Sequence, residues 1–255
     1  MWECDAGTSG ASTGGDCDAP TSGDCDVPRW TRVEVIGMVG PGAPPELAWL
    51  DTALQGSRRA VLWQAPRGLV APLSYRRHAR LDAVCAAFAA RGCPVRLRRS
   101  GGGVAPQGPG ILNLSLTWHV AGPPGAHGDR VYAQLCGVLA RALAALHIDA
   151  QPRAVAGSFC DGRFNLAVGP RKIAGAAQYW RRAGDRHAVL AHALLLVDAD
   201  TTALTALVND FEAALQSERR YDANAITTVA REWRGAPPPD LMARVQRQIA
   251  AALGE

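Results

Sequence analysis

The sequence predicts an α+β domain built on a mixed sheet flanked by helices, and three observations carry that prediction. From Pro45 onward, stretches with helical spacing of apolar residues alternate with stretches of strand character. One helix stands out, because Val131, Leu135, Val138, Leu139, Ala142 and Leu146 recur at intervals of four, three, one, three and four, the stripe of a helix packed on a core. Third, the strand-like runs in the C-terminal half are joined at Gly169-Pro170 and at Ala183-Gly184-Asp185, short turns that favour hairpins. Alternation that ends in antiparallel hairpins belongs to α+β folds.

The elements follow in order. Glu46 to Leu54 reads as a short helix and Ala60 to Gln64 as a strand. Arg76 to Arg91 has helical spacing, and Pro94 to Arg98 is a strand that runs into a glycine triplet. Ile111 to Trp118 alternates apolar and polar residues, as a half-buried strand does. After the helix around Val131 to Leu146, strands are expected at Phe164 to Val168, Arg171 to Gln178 and His187 to Val197. Two helices close the chain, Thr202 to Gln216 and Pro239 to Leu253, the second opened by three prolines that cannot lie in a helix interior.

Residues 1–30 form a separate segment, rich in Gly, Ser, Thr and Asp, with a Gly-Asp-Cys-Asp-Ala-Pro repeat at 15 to 20 and Gly-Asp-Cys-Asp-Val-Pro at 23 to 28. It reads as a disordered acidic tail, dispensable for folding, with residues 31–255 as the domain proper. The tail holds six carboxylates against Arg29, a net of −5; the whole chain is +4, so the rest is +9. A core of that sign favours an acidic partner or an anionic ligand. Its arginine pairs lack interleaved aromatics, so no nucleic-acid role is expected.

The longest apolar runs are too short to span a bilayer, and Trp2-Glu3-Cys4-Asp5 stands where a secretory signal would begin. A cytoplasmic protein without membrane contact is expected, its seven cysteines reduced. Cys4, Cys17 and Cys25 are spaced by 13 and 8, which fits no standard zinc pattern, and the histidines show no paired ligand spacing. No metal site is expected among them.

Of the 27 basic residues only Lys172 is a lysine. In a chain so biased to arginine, a retained lysine points to chemistry that a bulkier guanidinium cannot copy. A second feature is the loop Arg98-Arg99-Ser100-Gly101-Gly102-Gly103, where consecutive glycines let backbone approach a ligand and the arginines add fixed charge. It is neither a P-loop nor a Rossmann fingerprint.

Taken in order, that loop, Gly110-Ile111-Leu112-Asn113-Leu114-Ser115, Asp161-Gly162-Arg163-Phe164-Asn165-Leu166 and Arg171-Lys172-Ile173-Ala174-Gly175 with Gln178 resemble the catalytic domain of lipoate-protein ligases and octanoyltransferases. The resemblance covers about residues 45 to 235 and implies a fold like the class II biotin and lipoyl protein ligases, although the Gly-Arg-Gly-Arg-rich loop of biotin ligases is absent. It implies Lys172 as a catalytic residue. Arg98, Arg99, Ser100, Gly101, Gly102, Gly103, Asn113, Asn165 and Gly175 are implied as substrate- or ATP-binding positions. An aliphatic tunnel near Val104, Leu112, Leu114 and Ile173 would hold the acyl chain.

Two reaction types follow. In the first, ATP and Mg2+ activate lipoate or octanoate as an acyl-adenylate, and the acyl group passes to a lysine of lipoyl domains of 2-oxoacid dehydrogenases or of the glycine cleavage H protein. In the second, ATP-independent, type, Cys160 accepts an octanoyl group from an acyl carrier protein as a thioester. The ligase-like run Arg163 to Leu166 and the spacing of 12 between Cys160 and Lys172 favour the ATP route. The chain's end soon after the core, with no room for the accessory domain many ligases carry, favours the other. A non-catalytic acyl-binding module on the same fold is the rival from another class, and Lys172 speaks against it.

Overall fold

The computed structural model describes residues 28–39, 46–120, 125, 127–160 and 162–254. Most of the acidic tail, its three cysteines and Asp161 of the third motif lie outside the described residues.

Two sheets face one another. The larger has seven strands in the order β1 (Glu34–Met38), β2 (Arg59–Gln64), β6 (Ile111–Val120), β10 (Arg186–Leu196), β9 (Arg171–Ala183), β8 (Leu166–Val168) and β7 (Gln151–Pro152). β1 and β2 are parallel and the remaining pairs antiparallel, so the sheet is mixed, as expected. The smaller has β4 (Val95–Arg98), β3 (Gly68–Pro72) and β5 (Ala105–Gln107), with β3 central. β3 and β5 escape a pattern reading because they are short and carry Pro72 and Pro106; Pro106 is tolerated because β5 is an edge.

Each strand of the large sheet sorts its residues by parity. On β6 and β10, Leu112, Leu114, Leu116, Val189, Ala191, Ala193 and Leu195 form the main core with α3 (Gly128–Ala144) and α6 (Leu241–Gly254). The other face looks toward the small sheet and is crossed at one end by α1 (Glu46–Leu54). α2 (Leu81–Ala90) and α4 (Thr201–Ala214) cover the back of the small sheet, where Phe88 and Phe211 meet edge to face. Asp200 caps α4 by accepting from the N–H groups of Thr202 and Ala203.

Two expectations need adjusting. The helix expected from Arg76 begins at Leu81, because Leu73–Arg77 forms a 3-10 turn and His78 is extended. Trp30, assigned from sequence to the tail, is 4% exposed: its backbone N–H donates to the Leu253 carbonyl, and its ring meets Trp118 edge to face at 6.2 Å. The domain therefore begins by Trp30, and a chain cut at Arg32 would lose an aromatic contact of the core.

Candidate active site

Between the two sheets lies a cavity of about 760 Å3. The register of β9 on β10 sets Gly175, Ala177 and Tyr179 opposite Leu194, His192 and Leu190, and all six border it. Val70, Arg96, Arg98, Ala105 and Gln107 of the small sheet face them.

Lys172 opens β9 at one end of this space. It is 5% exposed, and its ammonium donates to the carbonyls of Phe159 and Cys160. Asn165 donates its amide to the same Cys160 carbonyl at 2.7 Å. Cys160 has a φ of +54°, a conformation that L side chains rarely adopt, and these donors hold it there. Two glycines make the arrangement possible. A Cβ on Gly175 would stand 3.0 Å from the Lys172 Nζ, and one on Gly102, itself at φ +99°, would stand 2.5 Å from the Cys160 Sγ. The glycine loop, the thiol and the lysine thus meet at one point.

Arg98 ties that loop down. Its guanidinium donates to the carbonyls of Val70, Gly101 and Gly103, at 3.1, 2.9 and 2.8 Å. Burial holds it below the usual arginine value. Beneath lies Glu212, fully buried, which accepts from Tyr75 and Tyr221. Burial first and Glu212 second push the Tyr75 hydroxyl up to about 12. Arg99 is exposed and lies over Tyr179 at 6.0 Å, and Ser100 borders the cavity.

Sequence reasoning placed some residues differently. Asn113 is buried behind the wall, where it exchanges two amide hydrogen bonds of 2.9 and 3.0 Å with Gln107 and so joins the two sheets. Gln107 is the residue that reaches the cavity. Of the four aliphatic residues expected to line a tunnel, Ile173 borders the cavity, while Leu112 and Leu114 point to the opposite face and Val104 lies in the core behind the small sheet. The chain-sized wall is made instead by Leu190, Leu194 and Leu196. Arg163 is turned away from the cavity: it pairs with Asp129 at 2.5 Å and covers the Phe164 ring.

A second polar group went unseen. At the other end of the cavity, Ser115 donates to Glu46 at 2.5 Å and accepts from the Trp63 indole at 2.9 Å, and His192 Nδ1 lies 3.1 Å from both Glu46 and Ser115. Burial pushes the Glu46 carboxyl upward, but His192 and the hydrogen bonds from His192 and Ser115 outweigh it and hold the group below its usual value. An ionised Glu46 requires the proton on Nδ1, so Nε2 is the nitrogen left for the cavity. The one available signal was a histidine on the inward face of an otherwise apolar strand.

Among the described residues, no cluster of three His, Cys, Asp or Glu side chains could hold a metal ion, and no helix is long and apolar enough to cross a membrane.

Known proteins resemble this chain in sequence and in fold. A family model described as the lipoyl protein ligase A/B catalytic domain matches residues 52–250. A protein of Cupriavidus necator of undescribed activity is 57% identical over 72% of this chain and 78% of its own length. An octanoyl-[GcvH]:protein N-octanoyltransferase of Kyrpidia tusciae is 34% identical over 75% of this chain; the match spans 63% of that relative. Among solved structures, lipoate-protein ligase A bound with ATP shares the fold with a TM-score of 0.62, at 18% identity, covering 87% of this chain and 85% of that one. The bi-partite lipoate protein ligase of Thermoplasma acidophilum does so at 0.55 and 20%, covering 87% and 84%.

Proposed function

The chain belongs to the lipoyl protein ligase A/B catalytic-domain family, and from that premise we propose that it transfers an octanoyl- or lipoyl-type chain to a lysine of a carrier domain through a thioester on Cys160. The observation that carries this reading is the placement of Cys160: a cavity-lining thiol in a left-handed conformation, against Gly102 and with its carbonyl held by Lys172 and Asn165. The Cys160 sulfur attacks the acyl carbonyl, and the bond to the donor's leaving group breaks as that group takes up the thiol proton. The acceptor lysine amine then attacks the thioester, the C–S bond breaks, and the amine's proton returns to the sulfur. Lys172 keeps a compact cation beside the carbonyl carbon under attack and fixes the loop bearing the thiol. The apolar chain lies along Leu190, Leu194 and Leu196.

The carrier is expected to be a lipoyl domain or an H protein. The K. tusciae relative is named for an octanoyl-GcvH donor, and the archaeal ligase is described together with its E2 lipoyl domain.

Adenylation with ATP and Mg2+ is the second reading, favoured in the sequence by the run Arg163 to Leu166. The spacing of 12 between Cys160 and Lys172 favours it as well, and of that run Asn165 borders the cavity while Arg163 does not. The arginines of the wall suit phosphate, but among the described residues Glu46 is the wall's one carboxylate, and His192 and Ser115 already hold it. Among the described residues, no second carboxylate borders the cavity to complete a ligand set for Mg2+.

Mass spectrometry decides between the two. An intact-protein gain of about 126 Da after incubation with an octanoyl donor and no ATP, labile to hydroxylamine and lost in Cys160→Ala, supports the thioester. Octanoylation of a lipoyl domain that needs ATP and persists in Cys160→Ala overturns it.

A further inference from the structure

We propose that Tyr221, held in place by Glu212, is a positioning residue for Cys160: it props the glycine loop and Phe159 against each other and so keeps the thiol aimed into the cavity. The proposal rests on the acyl-transfer reading and adds to it two residues that lie outside the cavity wall.

Tyr221 lies on the loop that follows α4 and runs beneath the site. Asn209 pins its backbone on both sides, donating its amide to the Tyr221 carbonyl and accepting the Tyr221 N–H, each at 2.9 Å. The Tyr221 ring meets that of Phe159 at 5.6 Å, and the Phe159 carbonyl is one of the two that accept from Lys172. Its hydroxyl lies against the glycine loop: a Cβ on Gly103 would stand 3.3 Å from the Tyr221 oxygen and 3.5 Å from the Cys160 nitrogen. One side chain therefore touches both the loop that faces the thiol and the residue that precedes it. Lys172 and Asn165 hold Cys160 by its carbonyl, whereas Tyr221 acts on its amide side, through Phe159 and Gly103.

Glu212 sets where that hydroxyl stands. It is fully buried, and one of its oxygens accepts from both Tyr221, at 3.1 Å, and Tyr75, at 2.5 Å. Its other oxygen is buried without a hydrogen-bond partner among the described residues. A glutamate is seldom fully buried, and an apolar residue would fill the space without the cost of desolvating a carboxyl. What the carboxyl supplies is a fixed acceptor for two phenols. Burial first and Glu212 second push the Tyr221 hydroxyl upward, so it remains a donor in this bond. Arg219 closes the group, donating to the Tyr75 hydroxyl at 3.4 Å from beside Gly103.

A nucleophile moved by about an ångström loses a large part of its rate toward a bound donor, while a small free reagent loses little. Tyr221→Phe in the full chain separates the two, since it removes one hydroxyl and keeps the ring on Phe159. Alkylation by iodoacetamide, read at each cysteine by mass spectrometry, takes half-buried Cys85 of α2 as its internal reference. Cys160 is expected to be alkylated at least about threefold faster with Cys85 unchanged, while thioester formation from an octanoyl donor slows about tenfold and the donor KM stays within about twofold. Glu212→Gln should shift both rates in the same directions, and adding it to Tyr221→Phe should change little more, because the hydroxyl acts through that carboxyl. Fully additive effects overturn the part assigned to Glu212. A Cys160 alkylation rate that does not rise, or rises only together with that of Cys85, overturns the proposal, as does a thioester that forms as fast in Tyr221→Phe as in the unmodified protein. If the unmodified protein forms no thioester, the acyl-transfer reading fails by itself, and the alkylation of Cys160 against Cys85 still decides the positioning role.

Discussion

The two ends of the cavity are built in opposite ways. At the Lys172 end, the glycine loop, Phe159 and Cys160 with nearby Asn165, and the start of β9 each come from a short stretch of chain, and much of the geometry is backbone: carbonyls that accept from Lys172, Asn165 and Arg98. At the His192 end, four single side chains arrive from α1, β2, β6 and β10, spread over 146 residues between Glu46 and His192, and bond to one another. Strand register separates the two ends, since His192 faces Ala177, five residues beyond Lys172 on β9, or about 16 Å. In the proposed reaction the Lys172 end, with its rigid backbone and special conformations, holds the reacting atoms, and the His192 end, assembled from side chains, closes the slot. The Lys172 end should therefore govern turnover and the His192 end affinity and chain choice.

The largest expected effect that tests this division is on turnover. Cys160→Ala should abolish it, and Lys172→Arg should lower kcat by about a hundredfold or more, because the guanidinium is bulkier than the slot beside Gly175 and cannot hold both carbonyls of the Cys160 loop. Normal kcat in Lys172→Arg would sink the role assigned to the lone lysine. Next, Gly102→Ala should cost at least about tenfold in kcat with little change in donor KM, since its Cβ meets the Cys160 sulfur. The rate of thiol alkylation in the same variant reports whether the sulfur has moved.

At the other end, His192→Ala should raise the donor KM about tenfold and leave kcat within a few-fold. A collapse of kcat instead would mean that His192 takes part in proton transfer and that the two ends are not separate. The smallest effect is on stability. Glu46 titrates below its ordinary value in the folded chain, so its contribution is present above the unfolded carboxylate range and fades as pH falls through the lower folded value. Glu46→Gln should then destabilise the protein by on the order of 1 kcal/mol near neutral pH, with the gap narrowing below about pH 4 in denaturant melts. A gap independent of pH would show that the carboxylate charge is not what matters.

The same contrast explains what could be read in advance. Lys172, Cys160, Asn165 and the Arg98 to Gly103 loop were legible because each lies in a contiguous run whose residue types are themselves unusual, a single lysine or three successive glycines. His192 and Glu46 carry no local mark; they matter because β10 and α1 bring them to Ser115. Asn113 was legible as a polar residue in an apolar strand, but not as the partner of Gln107, which alone of the two meets the cavity.

The sequence by itself determined the mixed sheet flanked by helices, the long helix of the core, the hairpins of β8, β9 and β10 and the residue runs that meet around Lys172, because each depends on periodicity or on a run of neighbours along the chain. Only the tertiary structure decided which face of each strand looks into the cavity, that Trp30 belongs to the core, and that Arg163 points away while Arg96 points in. Strand alternation offers two faces and a sequence does not choose between them; the choice is made where α3 and α6 bury one side of the large sheet and leave the other to the small sheet and the cavity.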